Sequence, residues 1–468
     1  MRGTHRSDGS FIRMLEALVD AGLVVLGYYG AFWLRYGSNP DPRNLAPFFA
    51  LIPFIVLVSL GMVVFNGLYS RDLSGRLALV YGLLSMLIPV AILTMAAAFL
   101  DRGFAFPRSV IGLGMLLQFL LLYLWKVLLF RFYWSREPRR QVMVIGNLQE
   151  ASGLIVRMED AFRRDMDLQV VALGVSSAAL ERLGRCDAVY LCPGIQPQER
   201  EIVIRRCLDL GVTLQIVPDL HEILMQTATV NIRGDAVTMG IQPLPLSVEK
   251  AVVKRALDLV AGGGLMLLSL PVMVVVALLI LWEDGRPVFF VQRRVTRDGR
   301  VFRMYKFRTM VRNAEKTSGP VLSFREDSRV LRNGRMLRET RLDELPQLFN
   351  VLRGDMSLVG PRPERPLFVE QHRQRFPAYA YRLAVKAGIT GLAQTTGRYA
   401  TATEDKLRLD LLYIRSQSLL LDLRILGRTL RTMLSRQGAG GWIPSEDPWQ
   451  VLSRMNGEVL DEQGERQS

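Results

Sequence analysis

Features that would assign several common function classes are missing from this sequence. Its 468 residues include three histidines and three cysteines, Cys186, Cys192 and Cys207, with no CxxC pair. Because zinc-finger spacing and an aromatic platform for single strands are both absent, we expect no nucleic-acid partner. The cysteines fall in one middle segment, which indicates reduced, buried thiols rather than a disulfide framework.

Positive charge and apolar residues are both abundant. The net charge is +15 at pH 7 and half of the residues are apolar, a combination typical of a membrane protein that faces anionic lipid or phosphate. We predict four transmembrane helices in residues 1–137, because runs of about 20 apolar residues lie near 14–34, 46–68, 78–100 and 109–130. Asp20, inside the first run, is expected to face the bundle interior, where a carboxylate finds a partner or a function. Arginines cluster after the fourth run, which predicts that both ends of the bundle are cytoplasmic.

Residues 138–246 alternate β-prone runs with polar helical segments, which predicts a Rossmann-like α/β module with a parallel sheet. The first strand ends at Gly146, where a dinucleotide-binding fold would continue as GxGxxG, but this chain reads GNLQEA. Without the second and third glycines the backbone is not able to approach a pyrophosphate in the usual way. A structural or regulatory module is therefore favoured over a working nucleotide site, and its ligand is left open.

A fifth apolar run covers residues 256–282 and has basic residues on both sides. Ser269 and Pro271 lie at its middle, and a proline removes one helical hydrogen bond, so we predict a sharp bend. Each half would then be too short to span the membrane. The hypothesis is a re-entrant helix at about 252–283 that enters the inner leaflet and returns. A Pro-kinked fifth transmembrane helix is the alternative.

After this run, two β-prone stretches around Asp298 and Gly299 predict a hairpin. Lys306 and Arg308 are two residues apart on its second strand and are expected to share a face. Two neighbouring cations near a membrane suit a phosphate group. The alternative is that they only keep an exposed face soluble.

The stretch RETRLDELPQLFNVLRGDMSLVGPRPE places two adjacent carboxylates, Asp343 and Glu344, among arginines. Thr340 and Asp343 have the spacing of a helix-capping box, which would be a purely structural explanation. That explanation does not account for the arginines nearby. A guanidinium group binds two phosphate oxygens at once, in a bidentate contact. An aspartate is a competent nucleophile toward phosphorus, and Mg²⁺ would be needed to neutralise a diphosphate. The arginines concerned are Arg338, Arg341 and Arg362.

These motifs, with KRALDLV, YKFRTM and AGITGLAQTTGR, resemble the bacterial sugar transferase family, the polyprenyl-phosphate hexose-1-phosphate transferases. Four leading transmembrane helices and a degenerate Rossmann-like module are similar to its long branch, which primes exopolysaccharide, capsule or O-antigen synthesis. The resemblance implies a membrane protein of mixed class with a largely α-helical, monotopic catalytic domain at 247–436 that contains a small β-hairpin. It also implies a bacterial inner-membrane location with the site on the cytoplasmic face.

The resemblance implies that Asp343 attacks the β-phosphate of a UDP-sugar, that UMP leaves, and that undecaprenyl phosphate takes the phosphosugar. Glu344, with Asp343, would hold Mg²⁺. The residues expected to contact phosphates are Lys306, Arg308, Arg338 and Arg362, with Arg341, Arg398, Asp410 and Asp422 as further candidates. The structural alternative is that Asp410 and Asp422 pair with nearby arginines. The family usually has a proline where this chain has Ala387, which is expected to loosen one turn near Arg398.

Two other function classes remain open at this stage. A membrane-anchored glycosyltransferase would release UDP instead of UMP, and a non-catalytic scaffold of polysaccharide assembly would not need the two carboxylates. Membrane lipid is an expected partner under each of these functions. The additional transmembrane and Rossmann-like modules favour a homodimer. Residues 437–468 are polar and interrupted by Gly and Pro, which predicts a mobile tail. No pattern in the sequence identifies the hexose.

Overall fold

A computed structural model defines the fold. It describes residues 5–37, 42–65, 68–69, 76–100, 108–132, 139–226, 228–233, 235–241, 244, 248–312, 329–396, 403–434, 447–454, 457–461 and 463–467. The chain divides into two compact units, Met1–Glu137 with Gly427–Ser435 and Pro138–Leu426 with Arg436–Ser468.

Long apolar helices make up most of the first unit. They are α1 (His5–Tyr36), α2 (Pro42–Phe65), α3 (Arg76–Leu100) and α4 (Arg108–Phe132). The stretches Met14–Tyr36, Leu79–Ala97 and Ser109–Arg131 are long and apolar enough to cross a membrane, and α2 adds the shorter stretch Phe49–Val64. Membrane association through N-terminal apolar helices is therefore confirmed.

Asp20 lies inside this bundle, as predicted, and it has a partner. Lys126 Nζ donates to Asp20 Oδ2 at 2.7 Å and to Glu16 Oε1 at 2.6 Å, and all three side chains are buried. Because an unpaired charge in an apolar bundle is very unfavourable, the lysine explains how two carboxylates are tolerated there.

The second unit begins with a sheet that is mostly parallel. Its strands are β1 (Arg140–Ile145), β2 (Met166–Ala172), β3 (Ala188–Leu191) and β4 (Thr213–Ile216), in the order β2-β1-β3-β4. The helices between and after them are α5 (Leu148–Arg157), α6 (Glu159–Arg164), α7 (Ser177–Arg182), α8 (Pro197–Leu210) and α9 (Leu220–Met225). Alternate residues of β1 enter two separate hydrophobic clusters, one on each face, so the sheet is covered on both sides.

The crevice at the carboxyl ends of β1 and β3 is where a doubly wound sheet binds ligands. A methyl group on Gly146 would lie 2.5 Å from Cys192 Cβ, so the two strand ends meet closely there. Glu150 Oε2 accepts a hydrogen bond from the Gly194 N–H at 3.0 Å. The chain's own carboxylate thus stands beside the start of α5, in the place where a dinucleotide fold holds pyrophosphate.

A mobile tail was predicted for residues 437–468, but the part of it that the structure describes is folded. Residues Pro448–Ser453 form a helix (α17 in chain order), and β11 (Glu458–Leu460) pairs in parallel with β2, with β12 (Arg466–Gln467) antiparallel beside it. Val451, Leu452 and Leu460 are buried in the clusters that cover the sheet. These few apolar residues are too widely spaced in the sequence to show a periodic pattern. Their role is to cover and extend the sheet beside β2, which is visible only in the structure.

The rest of the second unit starts with a hairpin, β5 (Thr229–Arg233) and β6 (Ala236–Gly240), and a helix, α10 (Val248–Asp284). A second hairpin follows, β7 (Phe289–Val295) with β8 (Val301–Phe307), and its turn contains Asp298 and Gly299 at positive φ. The remaining elements are α11 (Arg332–Glu339), α12 (Gln347–Arg353), β9 (Ser357–Val359), α13 (Pro366–Arg375), β10 (Gly388–Thr390), α14 (Leu392–Thr396), α15 (Thr403–Ser416) and α16 (Leu419–Leu434).

The segment predicted to break at Ser269 and Pro271 belongs to one helix, α10, and the bend expected there stays a prediction. Helical structure continues through both residues, and the Ser269 hydroxyl donates to the Met266 carbonyl at 3.0 Å. The apolar side chains of the middle of α10 are largely exposed: Val260 is 78% and Leu268 77% exposed. We attribute the continuity to these long apolar flanks, whose remaining helical hydrogen bonds compensate for the one that proline removes.

The GPRP segment after β9 packs backbone to backbone against β10. Gly360 N–H donates to the Thr390 carbonyl at 2.8 Å, and a methyl group on Gly388 would lie only 2.1 Å from Gly360 N. Ala387 was expected to loosen this region, but its N–H donates to Thr296 Oγ1 at 3.1 Å and the residue is buried. A proline has no N–H to donate, so the alanine adds a hydrogen bond here rather than loosening the turn.

Candidate active site

The two adjacent carboxylates lie on a short 3₁₀ turn, Leu342–Glu344, between α11 and α12. Arg341 directly before it has a φ of 56°, which reverses the chain at the end of α11. The Thr340 hydroxyl donates to the Met336 carbonyl at 2.8 Å, within the last turn of α11. Thr340 therefore ends one helix instead of capping the next, and the capping-box interpretation of Asp343 is wrong.

Glu344 is held by two cations. Lys306 Nζ, from β8, and Arg362 Nη2, from the GPRP segment, each donate to Glu344 Oε1 at 2.8 Å. Burial by itself would raise the pKa of Glu344, but Arg362 and Lys306 outweigh that effect and hold the pKa below its usual range. Glu344 is consequently ionised at neutral pH, and it holds the Lys306 and Arg362 side chains in place.

Asp343 is different from its neighbour. Among the described residues, none makes a hydrogen bond or ion pair with its carboxylate. Burial, and secondly the charge of Glu344, raise the pKa of Asp343 to about 6, although Lys306, Arg338 and Arg362 act in the opposite direction. Two adjacent carboxylates with pKa values moved apart are typical of a site in which each has its own chemical role.

The arginines of the site are themselves oriented by neighbours. Arg338 Nε donates to Thr309 Oγ1 at 2.8 Å, and the charge of Arg338 reaches Asp343. The Arg362 carbonyl accepts from Arg382 Nη2 at 2.7 Å. The structure thus brings together Asp343, Glu344, Lys306, Arg338 and Arg362, as the sequence predicted.

Arg382 was missed by the sequence reasoning. It is 8% exposed, its Nε donates to Asp410 Oδ2 at 2.6 Å, and its Nη1 donates to the Tyr379 hydroxyl at 2.9 Å. Asp410 therefore pairs with an arginine, as the structural alternative proposed, but that arginine holds the backbone of Arg362. No periodicity distinguishes Arg382 from the many other arginines of the chain, so the sequence offers no signal for it.

Other predicted residues lie apart from the two carboxylates. Arg308 follows the end of β8, where its buried guanidinium donates to the Asp284 and Gly285 carbonyls at 2.9 and 2.8 Å. Lys306 contacts Glu344, but Arg308 does not. Strand β8 ends at Phe307, so the alternation that would place both side chains on one face stops before Arg308. Asp422 accepts from Lys254 at 2.7 Å and from the Tyr413 hydroxyl at 2.8 Å.

Two candidates have no role assigned by contacts. Within the described ranges, the Arg341 side chain makes no hydrogen bond or ion pair with another residue. Arg398 lies outside the described residues. Over the same described part of the chain, no group of three or more His, Cys, Asp or Glu residues is arranged to hold a metal ion.

Comparison with known proteins agrees with this geometry. The sequence profile described as "Bacterial sugar transferase" matches residues 249–436. That range contains both carboxylates, the hairpin that supplies Lys306, and α10.

Three curated relatives illustrate the similarity. A UDP-N-acetylgalactosamine-undecaprenyl-phosphate N-acetylgalactosaminephosphotransferase of Aeromonas hydrophila is 38% identical over 244 residues, which cover 52% of this chain and 57% of the relative. A UDP-glucose:undecaprenyl-phosphate glucose-1-phosphate transferase of Klebsiella pneumoniae is 35% identical over 285 residues, 58% of this chain and 60% of the relative. A transferase of the same description from Caulobacter vibrioides is 42% identical over 193 residues, 40% of this chain and 71% of the relative. The chain thus spans less than two thirds of the length of the first two relatives.

Proposed function

This chain belongs to the bacterial sugar transferase family, and from that premise we propose that it transfers a hexose-1-phosphate from a UDP-sugar to undecaprenyl phosphate. The products would be UMP and undecaprenyl-diphosphate-sugar, the lipid-linked primer of a surface polysaccharide. The names of the relatives support the substrate classes, since all three act on undecaprenyl phosphate and a UDP-sugar.

The observation that carries the proposal is the unequal pairing of the two carboxylates. Glu344 is bound by Lys306 and Arg362, whereas no described residue pairs with Asp343. We propose that an Asp343 oxygen attacks the β-phosphorus of the UDP-sugar and that the bond to the UMP oxygen breaks. An oxygen of undecaprenyl phosphate then attacks the phosphosugar-aspartate, the phosphoryl bond to Asp343 breaks, and the carboxylate is regenerated.

The cations around the dyad have a complementary role in this reaction. Lys306, Arg338 and Arg362 stand around Asp343 and would stabilise the charge that develops on the phosphoryl oxygens. Glu344 fixes Lys306 and Arg362 before substrate arrives, so little reorganisation would be needed in the transition state. Arg382, held by Asp410, is a positioning residue that acts through the backbone of Arg362.

We propose Mg²⁺ as the cofactor. Both Lys306 and Arg362 bind Oε1 of Glu344, and in the described structure no contact engages its Oε2 or the carboxylate of Asp343. Proteins usually bind Mg²⁺ through one or two carboxylates, and substrate phosphates supply further ligands. The oxygens of Asp343 and Glu344 fit this donor set. When bound, Mg²⁺ would supply neutralisation of the diphosphate charge.

We propose that α10 enters the membrane and returns to the same side. Asp258, near its start, accepts from the Leu358 N–H at 3.0 Å, and Asp284, at its end, pairs with Arg308 at 2.9 Å. Both ends thus contact the same catalytic domain, while the exposed apolar side chains lie between them. A helix crossing the bilayer would separate its ends by the roughly 30 Å core. The basic residues on both flanks support a cytoplasmic domain at head-group depth, where a polyprenyl phosphate resides.

A product assay tests the proposal. Purified protein in detergent receives Mg²⁺, undecaprenyl phosphate and each of a panel of UDP-sugars labelled in the uracil ring and in the sugar. We expect labelled UMP and a lipid-linked phosphosugar with at least one donor. Release of UDP would instead indicate a glycosyltransferase without phosphate transfer, and no product with any donor would favour a scaffold.

We propose separately that the chain forms a homodimer, because it has membrane and α/β modules in addition to the catalytic domain. Sedimentation of the purified protein across a range of concentrations tests it. A constant mass of one chain would contradict it.

A further inference from the structure

A second concentration of positive charge lies on the catalytic domain. Two adjoining cavities, of about 260 and about 620 Å³, share Arg300 and Asp355 in their walls. The lining includes two carboxylates, Asp298 and Asp355. The cationic lining residues are Arg293, Arg297, Arg300, Arg303, Arg353 and Lys386. Cations therefore outnumber carboxylates by four, which is the electrostatic pattern of an anion-binding cavity.

Two of these arginines face each other across the hairpin. Arg293 and Arg303 are direct partners in the antiparallel register of β7 and β8, and both are exposed. Like charges directly opposite each other destabilise a sheet. Neither guanidinium makes a hydrogen bond or ion pair with any residue that the structure describes. No described residue relieves this repulsion, and an anion between the two side chains would reduce it.

Lys386, in the lining of the smaller cavity, adds a third charge that no described residue pairs with. It is half-buried, and no described residue forms an ion pair with it. Burial, and then the charges of Arg255 and Arg297, lower the pKa of Lys386. The wall around it is rigid, since Thr296 donates to the Asp355 carbonyl at 2.9 Å and accepts from the Ala387 N–H.

The cavities adjoin the start of the membrane helix. A methyl group on Gly354 would lie 3.4 Å from Arg255 Nη2 and 3.7 Å from Lys386 Nζ. Arg255 immediately precedes the apolar residues 256–282 of α10. With the membrane placement of α10 proposed above, the cavities open at the depth of lipid head groups.

This region is distinct from the two carboxylates. Successive side chains of a strand point to opposite faces, so Arg303 and Tyr305 face away from the side on which Lys306 reaches Glu344. Tyr305 packs edge-on against Phe349, which is 50% exposed and supplies an apolar rim. An apolar rim beside clustered arginines suits a ligand with a phosphate head and acyl chains better than a free nucleotide.

We propose that these cavities bind the phosphate head group of an anionic membrane phospholipid, at a site separate from that of the polyprenyl phosphate substrate. The lipid phosphate would lie between Arg293 and Arg303 with Lys386 behind it, and the acyl chains would extend past Phe349 toward α10. Such a bound lipid would fix the orientation of the catalytic domain on the membrane surface. The proposal depends on the membrane placement of α10 but not on the reaction catalysed at Asp343.

Native mass spectrometry of the full-length protein tests the site. The protein is extracted from mixed micelles that contain phosphatidylglycerol or phosphatidylcholine, and retained lipids are counted. The double variant Arg293→Gln/Arg303→Gln is compared with Arg205→Gln/Arg206→Gln, which removes the same charge from exposed positions on α8. We expect the apparent affinity for phosphatidylglycerol to fall about fivefold per arginine in the first variant, because each surface cation contributes about 1 kcal/mol toward anionic lipid.

The control variant should retain phosphatidylglycerol like the unmodified chain, and phosphatidylcholine binding should not change in either. Equal retention of phosphatidylglycerol by both variants would overturn the proposal. Equilibrium dialysis with radiolabelled inorganic phosphate forms the second arm. If the Arg293→Gln/Arg303→Gln variant lost bound phosphate but kept phosphatidylglycerol, the site would belong to a soluble anion and the lipid assignment would be wrong. Because both readouts measure binding, a failure here is distinguishable from failure of the proposed reaction.

Discussion

Two places in the second unit each hold a carboxylate beside hydrogen-bond donors, and they differ in what that carboxylate pairs with. At the ends of β1 and β3, the Glu150 carboxylate already accepts the Gly194 N–H, so a donor that a ligand phosphate would use is taken. At the 3₁₀ turn, Glu344 accepts from Lys306 and Arg362 through one oxygen, and Asp343 stays unpaired among the described residues. An internal carboxylate takes the backbone N–H at the first place, whereas at the second it holds two cations beside a carboxylate that has no partner among the described residues.

The comparison shows how similar groups produce opposite outcomes. A backbone N–H offers one hydrogen bond, and a carboxylate that takes it leaves only negative charge toward an incoming phosphate. A lysine or arginine has several donors, so pairing with Glu344 leaves further N–H groups for the substrate. The capacity of the donor, more than the presence of a carboxylate, decides whether a phosphate site stays open.

The largest effect is expected from Asp343→Asn. An amide of almost the same shape is not able to form the phosphosugar-aspartate, so activity should fall by about 10³-fold or more. The measurement is UMP release, together with a search by mass spectrometry for a sugar-phosphate adduct at position 343. A variant that kept one tenth of the activity would remove the basis for assigning the two carboxylates different roles.

Stability provides the control for this variant. Because the pKa of Asp343 is raised in the folded protein, its ionised form opposes folding above pH 6 and this effect disappears below the unfolded pKa near 3.8. Asp343→Asn should therefore unfold at a higher temperature than the unmodified protein at pH 7.5, and the difference should vanish near pH 4. Loss of activity with gained stability excludes misfolding as the cause.

Arg382→Lys should reduce activity by about tenfold or more. Lysine keeps the charge but loses the planar fork that contacts Asp410, Tyr379 and the Arg362 carbonyl together. A double-mutant cycle with Arg362→Ala measures whether the two residues act together. If Arg382→Lys has the same effect with and without Arg362, the positioning role is refuted.

Acidification should reduce activity about tenfold between pH 7 and pH 5. The attacking carboxylate must be ionised, and burial with the charge of Glu344 raises the pKa of Asp343 to about 6. UMP release in a single turnover without undecaprenyl phosphate is the appropriate measurement, because the acceptor phosphate has its own titration. A rate that stays level down to pH 4 would show that Asp343 does not titrate as described.

The smallest effect is expected from Glu150→Gln. The amide oxygen still accepts the Gly194 N–H, and none of the residues assigned to the proposed reaction contacts Glu150, so activity should stay within about twofold. Binding of a radiolabelled dinucleotide by this variant gives the complementary measurement. Gain of binding would show that the carboxylate alone closes the crevice, whereas loss of transferase activity would contradict its separation from catalysis.

Much of the site was predictable from residue chemistry. The charges of short sequence segments complement each other, which explains why Asp343, Glu344, Lys306, Arg338 and Arg362 lie together. Strand periodicity did not place Arg308 beside Lys306, since β8 ends at Phe307, and the phosphate contact expected of Arg308 stays a prediction. The bend at Pro271 stays a prediction, because helical structure continues through the proline.

The sequence by itself determined that this chain is a membrane protein with a dyad of carboxylates among arginines, because apolar length and charge are local properties. Tertiary structure alone decided that Glu344 takes the cations and that Asp343 has no partner among the described residues, since that outcome depends on a strand and a Gly-Pro turn far apart in the chain. It also decided that Arg382 supports Arg362 and that residues 458–460 complete a sheet begun some 300 positions earlier. Contacts between distant segments depend on three-dimensional packing, and no local pattern encodes them.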